Sequence, residues 1–296
     1  MAVPLTRRTG RRITPLDAGV VLALAGLAAW IAWRVLVGLE YNWNWGMIPQ
    51  YLLFRADDDS WRMGMLLQGL VATVRLSLWA GVLAMLLGTA AGLARVGCTP
   101  LKRLVGGAYV GLVRNTPPLV LVFVFYFFLG DQLMLALGVE DWVYSLSDTA
   151  SSRLGVLFGP MKRAPQFFSA VLALCLFEGA YIAEIVRAGV ESVDRSQWDA
   201  SAALGMTRRA QLRHIVLPQA LQRMLPALAG QFISTIKDSA IVAVISVQEL
   251  TFQGMELMAA TYRTFEVWIT VTAMYFVLTF ACSLLVRRLE ARLTRG

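Results

Sequence analysis

Apolar runs of about twenty residues or more, separated by short polar stretches rich in arginine, set the pattern of this chain. Six such runs fall at about residues 18–39, 66–94, 106–129, 167–190, 225–247 and 267–286. An α-helix of roughly 20 residues crosses the ~30 Å hydrocarbon layer of a bilayer. Helices also leave no backbone N–H or C=O facing lipid. The pattern therefore predicts an all-α polytopic membrane protein with about six transmembrane helices. The first run follows a basic leader, as the core of a cleaved signal peptide would. Its apolar stretch exceeds the usual h-region, and no small-residue cleavage site stands out before Trp43, so it is expected to stay as an anchor. The fifth run is interrupted by Lys237 and Asp238.

Of the 296 residues, 57% are hydrophobic and only 16% charged, too few charges to wet the surface of a soluble domain this large. A net charge of +8 would suit nucleic acid if it formed a basic face with interleaved aromatics. The arginines instead cluster between the apolar runs, which sets nucleic acid aside and gives a topology. Arg7, Arg8, Arg11 and Arg12 precede the first run, and Arg287, Arg288, Arg292 and Arg295 follow the sixth. Arg95, Lys102 and Arg103 follow the second, while Arg187, Arg195, Arg208, Arg209, Arg213 and Arg223 follow the fourth. The alternate segments hold only Arg55, Arg62, Arg153, Lys162, Arg163 and Arg263, together with the acidic run Asp57, Asp58 and Asp59. The positive-inside rule then places both termini in the cytoplasm. Trp43, Trp45 and Trp61 flank the first two runs on the opposite side, where interfacial anchoring accounts for them. Cys98, Cys175 and Cys282 show neither metal spacing nor a disulfide framework, and the single histidine, His214, excludes most histidine-based catalysis.

Ionisable groups at membrane depth are costly unless they are paired or line a wet path. Glu178 and Glu184 are six residues apart in the fourth run, about 240° net around a helix, so one can face a pathway while the other pairs elsewhere. Arg114 and Asn115 are expected near the inner third of the third run, where Pro117 and Pro118 would free backbone carbonyls. Lys237, Asp238 and Ser239 are candidates for a gate or a broken helix, which exposes backbone groups to a polar solute. Each residue has a plainer reading: Arg114 can snorkel to a lipid phosphate, Arg187 can end a helix, and Glu184 can fix helix packing.

Between the fourth and fifth runs lies a polar segment, about residues 191–224. Ser196 can cap a short helix from about Gln197, with Asp199 in its first turn close to free N–H groups. Ala200, Ala202 and Ala203 favour helix, and Gly205 can end it at positive φ. A second short helix from about Arg208 to Val216 would stop before Pro218. Two short helices bent at a glycine make a compact knob, suited either to a partner's groove or to a plain interfacial connector.

The spacing Asp199-Ala200-Ser201, Gly205, Ile215, Leu217-Pro218 resembles the EAA loop of binding-protein-dependent ABC importer permeases. Asp199 replaces the usual Glu and Ser201 the second Ala. Arg114-Asn115-Thr116-Pro117, the stretch from Gly179 to Gly189, and Lys237-Asp238-Ser239 with Glu249-Leu250 resemble the polar amino acid subfamily, the histidine/glutamine permeases. The resemblance covers roughly residues 64–290. It implies a permease core of five spans over 63–290, preceded by an added helix and loop in 1–62 and followed by a tail at 291–296. It further implies that the 199–218 loop fits a cleft on a cytoplasmic ATP-binding subunit dimer, which carries the ATP and Mg2+. A second permease subunit, identical or homologous, and a periplasmic amino-acid-binding protein complete the assembly.

No Gly-x-x-x-x-Gly-Lys-Ser/Thr loop occurs in this chain, which is therefore expected to bind no cofactor, to have no enzymatic activity alone and to work in a bacterial inner membrane. An ion-coupled secondary transporter of a small polar solute is the alternative; it would account for the intramembrane charges but not for the knob. The loop at about 130–166 is longer than in the shortest members of the family that the chain resembles.

Overall fold

The computed structural model describes residues 15–38, 41–97 and 99–293, which fall into two compact units, the described residues up to 44 and those from 45 onward. Cys98 and the arginines Arg7, Arg8, Arg11, Arg12 and Arg295 lie outside the described residues. The first unit holds helix α1 (Pro15–Gly38), whose 24 residues give about 36 Å of helix.

The second unit opens with α2 (Ile48–Leu52) and a small hairpin of β1 (Leu53–Arg55) and β2 (Trp61–Met63). The strands are antiparallel, with Phe54 opposite Arg62, and Asp59 at φ 63 turns the chain. Then follow α3 (Met65–Val96), α4 (Pro100–Arg114), α5 (Pro118–Val124), α6 (Asp131–Ala136), α7 (Val139–Tyr144), α8 (Asp148–Phe158) and α9 (Ala164–Glu191). The chain continues through α10 (Arg195–Ala203), α11 (Arg208–Gln211), α12 (Leu217–Asp238), α13 (Leu250–Thr261) and α14 (Thr264–Leu293). Among the described residues five helical segments are long and apolar enough to cross a membrane: Met65–Val96, Pro118–Ala136, Met161–Glu191, Arg208–Ile245 and Thr264–Arg288.

Four expectations need correction. The third span is not 106–129. Pro117 and Pro118 start a helix there, since proline is tolerated in a first turn where its missing N–H has no partner to lose. The chain therefore breaks at Asn115, leaves α4 separate, and makes the span from Pro118 to Ala136 across a π-helical turn at Phe125–Gly130. Second, Pro218 does not stop the helix after Arg208. A π turn at Leu212–Val216 widens the helix just before it, and α12 runs on with Pro218 in its first turn. Third, α10 starts at Arg195 after Asp194, so Ser196 lies inside the helix rather than at its cap. Fourth, the 130–166 loop is largely helical, and α13, too short to span, intervenes before the last long helix.

Helix α9 is the centre of the second unit, buried along most of its length. Its main partner is α3, whose buried face reads Thr73, Leu76, Ser77, Ala80, Gly81, Ala84, Gly88 and Gly92. Lipid tails are as apolar as Leu, so helices in a membrane gain little by hiding leucine and associate instead through close backbone packing of small residues. Gly88 and Gly92, one turn apart, bring α3 against Gly179, Ile182, Ala183 and Val186 of α9. The large side chains of α14, Phe276, Val277 and Phe280 among them, are exposed, as a lipid-facing surface requires.

Candidate sites for docking and passage

Of the two arrangements that stand out, the first is the knob. Helix α10 ends at Leu204, and Gly205 at φ 76 turns the chain, its N–H donating to the Ala202 carbonyl at 2.9 Å. Thr207 caps α11 by accepting from the Ala210 N–H. The tip exposes Asp199, Ala200, Ala202, Ala203 and Leu204, the last 81% exposed. Ser201 faces inward and is buried, donating to the Trp198 carbonyl at 2.9 Å, while Arg208 stacks on the Trp198 ring at 3.5 Å. Beneath the tip, Val193, Val216, Ala220 and Met224 join Ile182, Val186 and Val190 of α9 in one apolar cluster, with Trp198, Ile215 and Leu217 packed on it. Pro218 is exposed at the start of α12. The seven loop residues thus divide between an exposed tip and a base fixed in the core.

The second arrangement runs along α9. Glu184 pairs with Arg187 and with Arg95 at the end of α3 (2.5 Å), and Arg114 at the end of α4 lies 3.5 Å away. Arg187 also pairs with Glu191, and Arg114 stacks on Tyr181 at 5.8 Å. Two motifs far apart in sequence therefore meet, with Arg114 at the end of α4 rather than within a span. Asn115 and Pro117 are exposed at the adjoining break, where the Asn115 amide donates to the Gly111 carbonyl at 2.7 Å.

Glu178, six residues away on α9, has no exposed surface. Its Oε2 accepts from Gln231 of α12 at 2.7 Å, whereas Oε1 has no hydrogen-bond partner. The Asp238 carboxyl is close enough to Glu178 for the two to interact, and Thr235 stands nearby. Two carboxylates cannot donate to each other, so a shared proton or a cationic donor would satisfy the pair. Ser239, buried, begins the 3-10 stretch Ser239–Ile245 that follows α12, and its hydroxyl donates to the Ile236 carbonyl at 2.8 Å. Lys237 is exposed and makes no ion pair among the described residues. The structure thus brings Glu178 and Asp238 together and leaves Lys237 out.

Sequence reasoning missed Gln231, read Arg95 only as a topology marker, and named Glu249 only within a motif; Glu249 is buried and accepts from Tyr275 at 2.6 Å, from Thr73 at 3.3 Å and from the Phe252 N–H at 2.8 Å. Glu249 lies between the last two long apolar segments, and burial raises its carboxyl above the ordinary range despite these donors. No group of His, Cys, Asp and Glu among the described residues has the arrangement of a metal site.

Over residues 84–295 the sequence matches the family described as the binding-protein-dependent transport system inner membrane component. The chain belongs to this family. It is a multi-pass membrane subunit of a transport system, and nothing in the similarities favours an ion-coupled carrier. This permease subunit is 33% identical over 228 residues to the glutamine transport system permease protein GlnP of Escherichia coli K12, covering 76% of this chain and 92% of that one. It is 30% identical over 252 residues to the glutamate/aspartate import permease protein GltK of Escherichia coli O6:H1, covering 85% and 99%. Among solved structures, an amino acid ABC transporter crystallised with histidines matches with a TM-score of 0.61 at 32% identity, over 77% of this chain and 94% of that chain. The inward-facing MetNI methionine ABC transporter matches in fold with a TM-score of 0.57 at 18% identity, over 77% and 95%.

Proposed function

We propose that this chain is the permease subunit of an ATP-driven, binding-protein-dependent importer of polar amino acids in a bacterial inner membrane. Family membership supports the transport role, and the relatives named for glutamine and for glutamate/aspartate support the solute class. The observation that carries the reading is the knob: an exposed tip of small side chains on a base shared by α9 and α12. Such a tip suits the cleft of a cytoplasmic ATPase, two copies of which bind ATP and Mg2+. A second permease subunit and a periplasmic amino-acid-binding protein complete the machine. The arginine distribution supports cytoplasmic termini. Residues 63–290 form the transport core and 191–224 its coupling segment, flanked by 1–62 and 291–296.

ATP binding draws the two knobs of a permease pair together and opens the outward side; hydrolysis restores the inward-facing state. Each ligand shifts the population by its differential affinity for the two states. The solute passes Glu178 and Asp238, whose acceptors suit the ammonium group of an amino acid, with the Ser239 turn and the Asn115–Pro117 break as hinges of the path.

The test is co-purification from mild detergent with the ATP-binding subunits of the same cell, for native chain and for Gly205→Arg. A side chain at Gly205 meets open space, so its local effect is strain at positive φ, about 1–2 kcal/mol, and bulk at the tip. The native chain should bring down an ATPase, and the variant should lose it while eluting as a folded monodisperse species. Folded native chain without an ATPase would overturn the importer reading.

A further inference from the structure

Helix α3 runs from the knob to the opposite end of the second unit. Its last turns stand beside Trp198 and Arg208, while its first turns, with α8, the start of α9 and the segment before α13, enclose a cavity of about 620 Å³. That volume suits a small solute. Three cations line it, Arg75, Lys162 and Arg163, and no carboxylate does. None of the three pairs with an acid among the described residues; Arg163 instead donates to the Gln248 amide oxygen. Arg75 lies inside the apolar span Met65–Val96, where an unpaired charge is costly unless it lines a wet path or meets a counter-charge.

A second observation points the same way. Gln253 is 7% exposed, and what remains accessible of its side chain opens onto this cavity. An amide that opens onto the cavity can bond a polar occupant there. The wall is built deliberately. Helix α8 is held over α3 by the Trp79 indole, which donates to the Leu157 carbonyl at 3.3 Å, and by Phe158, stacked on Trp79 at 5.1 Å. Gly159 at φ 86 then turns the chain past Arg75, whose Nη1 lies 3.6 Å from where a Cβ on Gly159 would stand. The long segment between α6 and α9 thus supplies one side of the chamber.

We propose that this chamber is an anion site that takes the carboxylate of an acidic amino acid, held by Arg75 with the Gln253 amide, at the end of the unit away from the knob. Lys162 and Arg163 at its rim draw the anion in. The choice of solute rests on the importer reading; the site itself rests on the lining. A phospholipid phosphate carries the same chemistry and is the competing source.

The experiment is equilibrium binding of radiolabelled L-glutamate to the purified full chain with whatever subunits accompany it, at low ionic strength. Native protein should bind the label, succinate should displace it, and putrescine, a cation without a carboxylate, should not. Arg75→Gln should weaken binding by about tenfold or more, Gln253→Leu by a smaller factor, and Arg75→Lys should retain most of it. Thermal melts of the same preparations identify any variant that is merely unfolded, and Arg75→Lys keeps the test open if Arg75→Gln fails to fold. Equal binding by native and folded Arg75→Gln, absent binding by native chain, or displacement by putrescine would each overturn the proposal. So would mass spectrometry showing an anionic phospholipid retained by native chain and lost from Arg75→Gln without glutamate binding. Glutamate bound without a co-purifying ATPase would sink the importer reading alone; an ATPase without bound glutamate would sink the chamber alone.

Discussion

Gly88→Ala is the sharpest probe of how the second unit holds together. A Cβ built on Gly88 would stand 2.6 Å from Ile182 Cβ and 2.7 Å from the Gly179 carbonyl oxygen. Carbon atoms pack best at about 3.5–4.0 Å, so α3 and α9 must part by about 1 Å. A gap of that size forfeits roughly a quarter to a half of each contact along a seam whose attraction is almost wholly dispersion. Overpacking of this kind costs about 1–3 kcal/mol, against roughly 0.5–1 kcal/mol gained when alanine replaces a helical glycine. The net loss, up to about 2.5 kcal/mol and centred on about 1 kcal/mol, corresponds to a melting temperature lower by a few degrees and at most about 10 °C. Gly107, in α4, is the control, because a Cβ there meets nothing within 4 Å. Gly107→Ala should keep only the helix gain and melt slightly higher. Both variants would be followed by thermal melts in one detergent, read by loss of the monodisperse peak. A Gly88→Ala protein that melts at or above native would refute the close-packing account, whatever Gly107→Ala does.

Glu184→Gln removes the one carboxylate shared by Arg95, Arg114 and Arg187, and should lower the melting temperature through a loss of about 1–3 kcal/mol; an unchanged melt would mean that solvent already screens the cluster. Because burial raises the folded-state carboxyl of Glu249 above its ordinary 4.5, its contribution to stability is full below the unfolded value and is lost as pH rises through the folded one. Stability measured from acid to neutral pH should therefore fall less steeply in Glu249→Gln than in native chain, and identical slopes would assign the loss to other groups.

Most of the membrane architecture was legible because burial in lipid leaves a strong, simple trace. A run such as 167–190 has few competing explanations, and it appears as α9 with small changes at its ends. Hydropathy failed where it averages over a break. Residues 106–129 are apolar on average, with Arg114, Asn115 and Thr116 among them, yet Pro117 and Pro118 divide them, because proline acts on backbone hydrogen bonding rather than on polarity. The opposite error occurred at Pro218, where a π turn absorbs the disruption that proline usually causes. The separation of Glu178 from Glu184 followed from helical rotation alone, but their partners did not. Gln231, Arg95 and Arg114 come from other helices, and only packing brings them to α9. Arg75 was readable by the rule applied to Arg114, since both stand in apolar surroundings. Its position beside Lys162 and Arg163 was not, because only packing brings the turn Met161–Arg163 and α8 over α3.

The shared base of the knob has a mechanical consequence. The residues that anchor it, from Val193 to Met224, belong to the same packed cluster as the C-terminal half of α9, and packed side chains resist compression and pass strain on to their neighbours. A load on Leu204 therefore reaches the middle of the bundle as shear between α9 and α12. Along that seam most contacts are apolar and tolerate a small slip. The Gln231–Glu178 hydrogen bond does not, being short and directional, so any slip between the two helices would have to break it.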